Sequence, residues 1–192
     1  MASGSLSENG FNFIKKHEGM LNTSYRLRSA KTSHGFEEHW TVGIGHHNAD
    51  VLPGDGVMPV YSETNSKKIT NGHSYDEASL RAFFDKDKKR FENDINKIWT
   101  SDMTQNMFDA MFSFAYNHGN ISKTQLGKTI KKDWKNQSLV RSVWMSSYVS
   151  GPYAKGLTKR RKAEVDYFYS DSGLTNNEPY DPGNSASSNI LS

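Results

Sequence analysis

The architecture of this chain follows from Glu18-Gly19, then Tyr25, and then Thr41-Val42-Gly43-Ile44-Gly45-His46. These residues place one carboxylate at the end of an amphipathic helix and lead the chain into a segment where β-forming residues alternate with glycines. Glycines at such spacing allow sharp bends, so we expect a hairpin of two or three strands after the helix. A helix end followed directly by a hairpin is an arrangement that forms a cleft.

The residues before this stretch predict a first helix over 5–18. Ser5 and Glu8 have the spacing of a capping box, apolar residues follow at helical spacing, and Gly19 supplies the stop. Glu18 therefore lies in the last turn. The negative end of the helix dipole and partial burial both favour a protonated carboxyl there, which is the form that a general acid needs.

From residue 74 onward the hydrophobic period is helical. Ser74 to Glu77 has the form of a second capping box, and the helix that ends at Asn117-His118-Gly119 has so few polar positions that it should be the buried centre of a helical lobe. Shorter helices are predicted over 124–134, 138–147 and 158–169. The pattern predicts an α+β fold, in which a small β-hairpin lobe inserted after the first helix lies beside a larger, mostly helical lobe.

Length and composition limit how many domains the chain can form. A chain of 192 residues fits one domain, which we place at 1–170, and the polar residues 171–192 have almost nothing to bury and should form a flexible tail. The absence of cysteine excludes disulfides and thiolate metal sites. No apolar run is long enough to span a membrane and no signal peptide is present, so we expect synthesis in a cytoplasm and no stable membrane insertion.

The charge pattern indicates a class of partner. The formal net charge is +3 and the basic residues fall in scattered clusters, which suit either a solvated helix face or attraction to a polyanion such as an anionic cell envelope. No nucleic-acid-binding motif of recognised form is present, so we predict no nucleic-acid partner.

Three segments resemble phage-type lysozymes, the glycoside hydrolase family 24 muramidases that include the T-even phage lysozyme. The first is the Glu-Gly, Tyr and Thr-Val-Gly-Ile-Gly-His pattern of residues 18–46. The second is Gln-x-x-Phe-Asp-Ala-x-x-Ser-Phe-Ala-Tyr-Asn-x-Gly over 105–119, and the third is Gly-Leu-x-x-Arg-Arg-x-x-Glu-x-x-x-Phe over 156–168. Together they cover roughly residues 7–169 in the family's order. The resemblance implies a lysozyme-like fold with the active-site cleft between its two lobes.

The resemblance also implies a reaction, hydrolysis of the β-1,4 bond between N-acetylmuramic acid and N-acetylglucosamine in peptidoglycan, with no cofactor and no metal. In it Glu18 protonates the leaving oxygen, and Thr41 helps to place the attacking water, because a hydroxyl orients water but does not deprotonate it near neutral pH. Tyr25 and Asn117 should line the groove, with Asn117 offering a donor and an acceptor to an acetamido group or a peptide stem. Arg160 aligns with a family position that reaches the catalytic glutamate.

The second catalytic group departs from the family pattern. An Asp or Cys normally follows the catalytic Glu by nine positions, and Leu27 occupies that place here. An inverting glycosidase needs a base on the opposite face of the sugar from its acid. If residues 37–41 form a regular strand, Glu37 shares the face of Thr41 and is our predicted base; a bulge would select Glu38 instead, and a third alternative has no dedicated base.

Several histidines lie near the same stretch. His46 is predicted to be structural and to pair with Asp87, which matches an acidic position in the family. Histidines with a carboxylate also suit a zinc-dependent amidase or peptidase, which is one alternative function, although no His-Glu-x-x-His pattern is present. The residues concerned are His34, His39, His46, His47 and Asp50.

The other alternative is a catalytically inactive lysozyme fold that serves as a binding or virion structural module. The expected partner in either case is the glycan strand of peptidoglycan. We expect a monomer that acts on the cell wall or in the periplasm after release, or as part of a virion that it contacts through its C-terminal tail.

Overall fold

The computed structural model describes residues 3–28, 38–43, 45–47 and 74–174, and for most strand residues it describes the course of the backbone. The chain divides into two compact units, one containing residues 1–11 and 90–192 and the other containing residues 12–89. Within the described ranges, no helix is long and apolar enough to cross a bilayer.

Helix α1 covers Glu8–Glu18 and begins later than the sequence predicted. Its cap is Ser7, whose Oγ accepts a hydrogen bond from the Gly10 N–H at 3.0 Å. The buried Asp109 selects this residue, because its carboxylate accepts from both the backbone N–H and the hydroxyl of Ser7. The prediction that Ser5 caps the helix is therefore wrong, since a contact distant in sequence decides where the helix begins.

The other end of α1 is as predicted. Gly19 has a φ of +72°, and its N–H donates to the Lys15 carbonyl at 3.0 Å, which is the left-handed cap typical of glycine. Glu18 is thus the last helical residue, and the chain enters the first strand two residues beyond Gly19.

Three antiparallel strands follow α1 in the order β1-β2-β3. The bend between the second and third strands uses Gly43 and Gly45, whose φ values of +66° and +104° few other residues adopt, as predicted for these two glycines. The third predicted bend point, Gly35, lies outside the described residues. The strands are β1 (Leu21–Arg28), β2 (Glu38–Gly43) and β3 (His46–His47).

Helix α2 covers Glu77–Ile95. Asp76 caps it, and its Oδ1 accepts from the Ser79 N–H at 2.8 Å, while Ser74 lies outside the helix. The capping box predicted from Ser74 is therefore wrong, because a carboxylate one residue before the helix satisfies its free N–H groups and complements its dipole. Hydrogen bonds from the side chain and the backbone N–H of Ser79 lower the pKa of Asp76.

A small apolar cluster lies in the unit of residues 12–89. Leu80 is its buried member, with Met20, Tyr75 and Phe83 packed against it. Leu80 Cδ2 lies 3.6 Å from the position that a side chain at Gly43 would occupy, so the end of β2 contacts the first turn of α2. This packing ties the sheet to α2.

Helix α3 covers Gln105–His118 and is the core of the other unit. Every residue of Met107–Ala115 is buried, which confirms the prediction of a buried central helix. Thr104 caps its start by accepting from the Met107 N–H, and Gly119, with a φ of +107°, ends it where the sequence predicted.

Three further helices follow α3, of which the last packs along it and begins earlier than expected. The hydroxyl of Thr158 donates to the carbonyl of Ala154 at 2.9 Å, so Thr158 lies inside a helix and does not begin it. The helices are α4 (Gln125–Asp133), α5 (Gln137–Ser146) and α6 (Ala154–Tyr169).

Candidate active site

Glu18 is exposed at the C-terminal end of α1. Gly19, which follows it, is exposed as well, so the left-handed turn leaves the carboxyl at an open helix end. The expectation of partial burial is therefore wrong, whereas the predicted place in the last helical turn is confirmed. An exposed carboxyl beside a turn is accessible to a large polymer.

The sheet brings two predicted site residues together. Tyr25 on β1 and Thr41 on β2 are Cα partners, and His47 on β3 is the partner of Thr41 on its other side. These three positions form one row across the sheet, whose first strand begins three residues after Glu18. Sequence spacing predicted a hairpin here, but only the pairing shows that Tyr25 and Thr41 are neighbours.

The row two positions further along β1 concerns the second catalytic group. Leu27, at the position where the family has its acid, is the Cα partner of His39. Pairing is continuous from Tyr25 to the end of β1, and the irregularity in β1 lies between Leu21 and Tyr25. The segment Glu38–Thr41 is therefore free of the bulge that would have selected Glu38, while Glu37 lies outside the described residues.

The predicted support by His46 stays a prediction. The backbone of His46 pairs with Val42, one position away from the row that contains Thr41, and Asp87 lies on α2. His47, which was considered only as a possible zinc ligand, is the histidine in that row.

Helix α6 contributes a buried charged cluster. Oε1 of Glu164 accepts from Arg160 Nε at 2.9 Å and from Ser113 Oγ at 2.9 Å. Its Oε2 accepts from Arg161 Nη1 at 2.6 Å and from Trp144 Nε1 at 3.1 Å. Both arginines and the glutamate are buried, so four donors satisfy a carboxylate that has no access to water.

Asn117 is connected to this cluster at the end of α3. Its Oδ1 accepts from Arg161 Nη2 at 2.5 Å, and its side chain is exposed. The acceptor that the sequence analysis assigned to substrate is therefore used inside the protein. The amide nitrogen makes no hydrogen bond to any described residue, so the donor is the part of Asn117 that a substrate can engage.

Arg160 was a predicted site residue, whereas Arg161 and Glu164 were not predicted to form one cluster with it. A signal was available, because Glu164 lies three and four residues after the arginines and is followed by the apolar Val165 and Phe168. A buried ion pair costs much of its Coulombic gain in desolvation, so such a cluster is retained more readily for geometry than for stability.

A metal site finds no support among the described side chains, in which no group of three His, Cys, Asp or Glu residues converges. His34 and Asp50, which the zinc alternative would use, lie outside the described part of the chain, as do the side chains of the other histidines in that set.

Comparison with known proteins identifies the family of this chain. The family model described as phage lysozyme matches residues 15–164, a range that contains Glu18, the three strands and Glu164. The endolysin of Bacillus phage B103 is 29% identical over 166 residues, which are 85% of this chain and 53% of that protein. The endolysin of Acyrthosiphon pisum secondary endosymbiont phage 1 is 28% identical over 171 residues, 86% of this chain and 98% of that protein.

The chain thus spans about half the length of the Bacillus phage B103 endolysin. Among solved structures, the muramidase domain of SpmX from Asticaccaulis excentricus has a TM-score of 0.60 at 18% identity, over 86% of this chain and 97% of that one. This likeness confirms the lysozyme-like fold. Because the family model matches most of its residues, the chain belongs to the phage lysozyme family.

Proposed function

We propose that this protein is an endolysin-type muramidase that hydrolyses the β-1,4 bond between N-acetylmuramic acid and N-acetylglucosamine in bacterial peptidoglycan. The family match and the endolysin and muramidase names of the relatives support this substrate. Glu18 is the proposed general acid, and Thr41 the proposed residue that orients the attacking water.

The observation that carries the proposal is the local geometry around Glu18. The carboxyl is exposed at the end of α1, and the strand that follows pairs Tyr25 with Thr41. A carboxyl at a helix end and a hydroxyl paired with an aromatic residue in the sheet that follows suit a reaction that protonates a glycosidic oxygen and positions water.

The test is a matched pair of substitutions on α1. Glu18→Gln keeps the size of the side chain and removes its proton, so the rate of wall hydrolysis should fall by at least about a hundredfold. Glu8→Gln, at the exposed first turn of the same helix, should retain nearly the wild-type rate. Mass spectrometry of the released muropeptides identifies the bond that is cut, and a Glu18→Gln variant with more than a tenth of the wild-type rate would contradict the assignment.

Glu37 is the proposed second carboxylate. The continuous pairing of Glu38–Thr41 with β1 supports it, because a regular strand without a bulge puts residue 38 on the face opposite to Thr41. Glu37→Gln and Glu38→Gln should be assayed separately. A severe loss only in the first supports the assignment, a severe loss only in the second selects Glu38, and near-wild-type rates in both leave Glu18 as the sole catalytic carboxylate.

The remaining site roles are proposals drawn from the family resemblance. They are the position of the cleft, the lining of the groove by Tyr25 and Asn117, the support of the acid by Arg160, and the pairing of His46 with Asp87. One feature favours the role of Arg160. Glu164 accepts from its Nε and the carbonyl of Ser113 accepts from its Nη2, so the buried guanidinium is fixed in one orientation.

The proposed setting is the bacterial cell wall, reached after release from the cytoplasm or as part of a virion, with the protein a monomer and the C-terminal tail a contact for a virion partner. The family match favours neither an inactive module nor a zinc-dependent amidase. Loss of turbidity of purified walls in the presence of a strong chelator tests both alternatives, since an inactive module gives no loss at all and a zinc enzyme gives none with the chelator.

A further inference from the structure

Tyr148 has an unusual backbone conformation for its residue type. Its φ is +57°, and it is the only residue other than glycine with a positive φ in the part of the chain that the structure describes. It follows the C-cap of α5, the place where helices most often have glycine. A bulky aromatic residue is disfavoured in this conformation. Contacts made by its side chain must therefore offset the backbone strain.

The ring of Tyr148 is supported on one face by a second ring. It stacks on the imidazole of His118 with a centroid separation of 3.2 Å and an interplanar angle of 25°. Phe114 lies behind the pair, with its ring centroid 6.3 Å from that of Tyr148. Tyr148 is nevertheless 49% exposed, so one aromatic face is supported while much of the residue is open to solvent.

Arg161 donates hydrogen bonds to the residues that precede the two stacked rings. Its Nε donates to the carbonyl of Ser147, the residue before Tyr148, at 3.2 Å. Its Nη2 donates to Asn117, the residue before His118, and its guanidinium lies 4.5 Å from the Phe114 ring centroid. Burial lowers the pKa of His118 and the charge of Arg161 lowers it further, so the supporting imidazole is neutral at neutral pH.

We propose that Tyr148, supported by His118, is a platform for an N-acetylated sugar ring of the substrate, and that the amide nitrogen of Asn117 donates to the acetamido carbonyl of the same sugar. The inference rests on the proposed function, because it assigns this surface to the glycan strand. The platform belongs to the ends of α3 and α5, within the unit that contains residues 90–192.

The chemistry of the two groups selects this ligand. The face of an aromatic ring is electron-rich, and the C–H groups of a pyranose ring form an apolar, weakly positive face that matches it. A nearby amide donor without a described partner suits the carbonyl of an acetamido group. An aromatic face beside a single fixed donor therefore recognises an N-acetylated sugar better than an unmodified one.

The experiment measures binding without cleavage. The full chain with Glu18→Gln is titrated with N-acetylglucosamine tetrasaccharide by calorimetry, alone and combined with Tyr148→Gly, Tyr148→Phe or Tyr153→Ala. Tyr148→Gly should weaken affinity about tenfold and Tyr148→Phe by less than about twofold. Tyr153→Ala, at a residue that is 63% exposed, should change nothing.

Tyr148→Gly also separates binding from folding. Glycine adopts a positive φ freely, so the melting temperature should not fall with the affinity. Asn117→Asp keeps the acceptor for Arg161 and removes the amide donor, so it should weaken binding several-fold without unfolding the protein. Unchanged affinity in Tyr148→Gly, or a loss explained by unfolding, would overturn the platform, and unchanged affinity in Asn117→Asp would overturn the acetamido contact.

Two further results complete the test. If Tyr148→Gly weakens binding only of peptide-bearing muropeptides and not of the tetrasaccharide, the platform binds the peptide stem and the sugar assignment is wrong. Failure of the proposed function is distinguishable, because it would show as absence of wall cleavage by the wild-type chain, whatever the affinity of the tetrasaccharide.

Discussion

Glu164 is the residue at which a single substitution should cost most stability. Glu164→Gln keeps the shape but removes the negative charge between Arg160 and Arg161, which leaves two buried cations without their counter-charge. We expect a loss of about 3 kcal/mol in the free energy of unfolding, measured by urea denaturation.

Asp166 on the same helix provides the matched control. It pairs with Arg141 at 2.8 Å and with Lys162 at 2.6 Å, but its side chain is 44% exposed. Asp166→Asn should therefore cost less than about 1 kcal/mol, because ion pairs in contact with water contribute little. Equal losses in the two variants would show that burial of the α6 cluster does not govern its energetics.

Among the elements, α6 should determine how the protein responds to alkaline pH. Burial raises the pKa of Tyr167 to about 12, and the negative charge of Asp109, which accepts from its hydroxyl at 3.2 Å, raises it as well. Burial also raises the pKa of Tyr169. Both phenols are thus held protonated by the fold.

The direction in which stability changes with pH follows from the raised pKa of Tyr167. Stability from Tyr167 is complete below a pH of about 10, the value of an unperturbed tyrosine, and is lost as pH rises toward 12. Tyr167→Phe should make the decline of unfolding free energy over this interval shallower, as measured by urea denaturation at a series of pH values. Tyr153→Phe, at an exposed position, should leave the slope as it is, and an unchanged slope in Tyr167→Phe would contradict the assignment.

At the scale of the whole molecule, the residues just after the predicted boundary at 170 have contacts of their own. Asp171 Oδ1 accepts from Thr104 Oγ1 at 2.6 Å, and the Leu174 N–H donates to Ser172 Oγ at 3.2 Å, so the residues just after α6 contact the start of α3 and each other. The sequence-based boundary at 170 therefore excludes a side chain that bonds to Thr104.

Two truncations test this boundary. A chain that ends at Leu174 should keep the wild-type melting temperature and wall-hydrolysing rate, since residues 175–192 were predicted to be a flexible tail. A chain that ends at Ser170 loses the Asp171 contact and should melt a few degrees lower, as expected for a loss of about 1 kcal/mol. If the two truncated chains have identical melting temperatures, the boundary at residue 170 is supported.

The sequence by itself determined the features that depend on neighbouring residues. Gly19 ends α1 and so makes Glu18 its last residue, Gly43 and Gly45 bend the chain, and an apolar pattern on nearly all sides makes α3 a buried helix. Each follows from local conformational preference or from hydrophobic period, which residues close in sequence are enough to specify.

Tertiary structure alone decided the features that depend on what covers a residue. Ser7 caps α1 because Asp109 binds it, and Tyr25 and Thr41 are neighbours because the strand register pairs them. Arg161 and Glu164 have the charges of a solvated helix face, yet they are buried because α3 and α5 pack over them. The free energy of a buried charge or a strained tyrosine depends on partners distant in sequence, which a local pattern cannot specify.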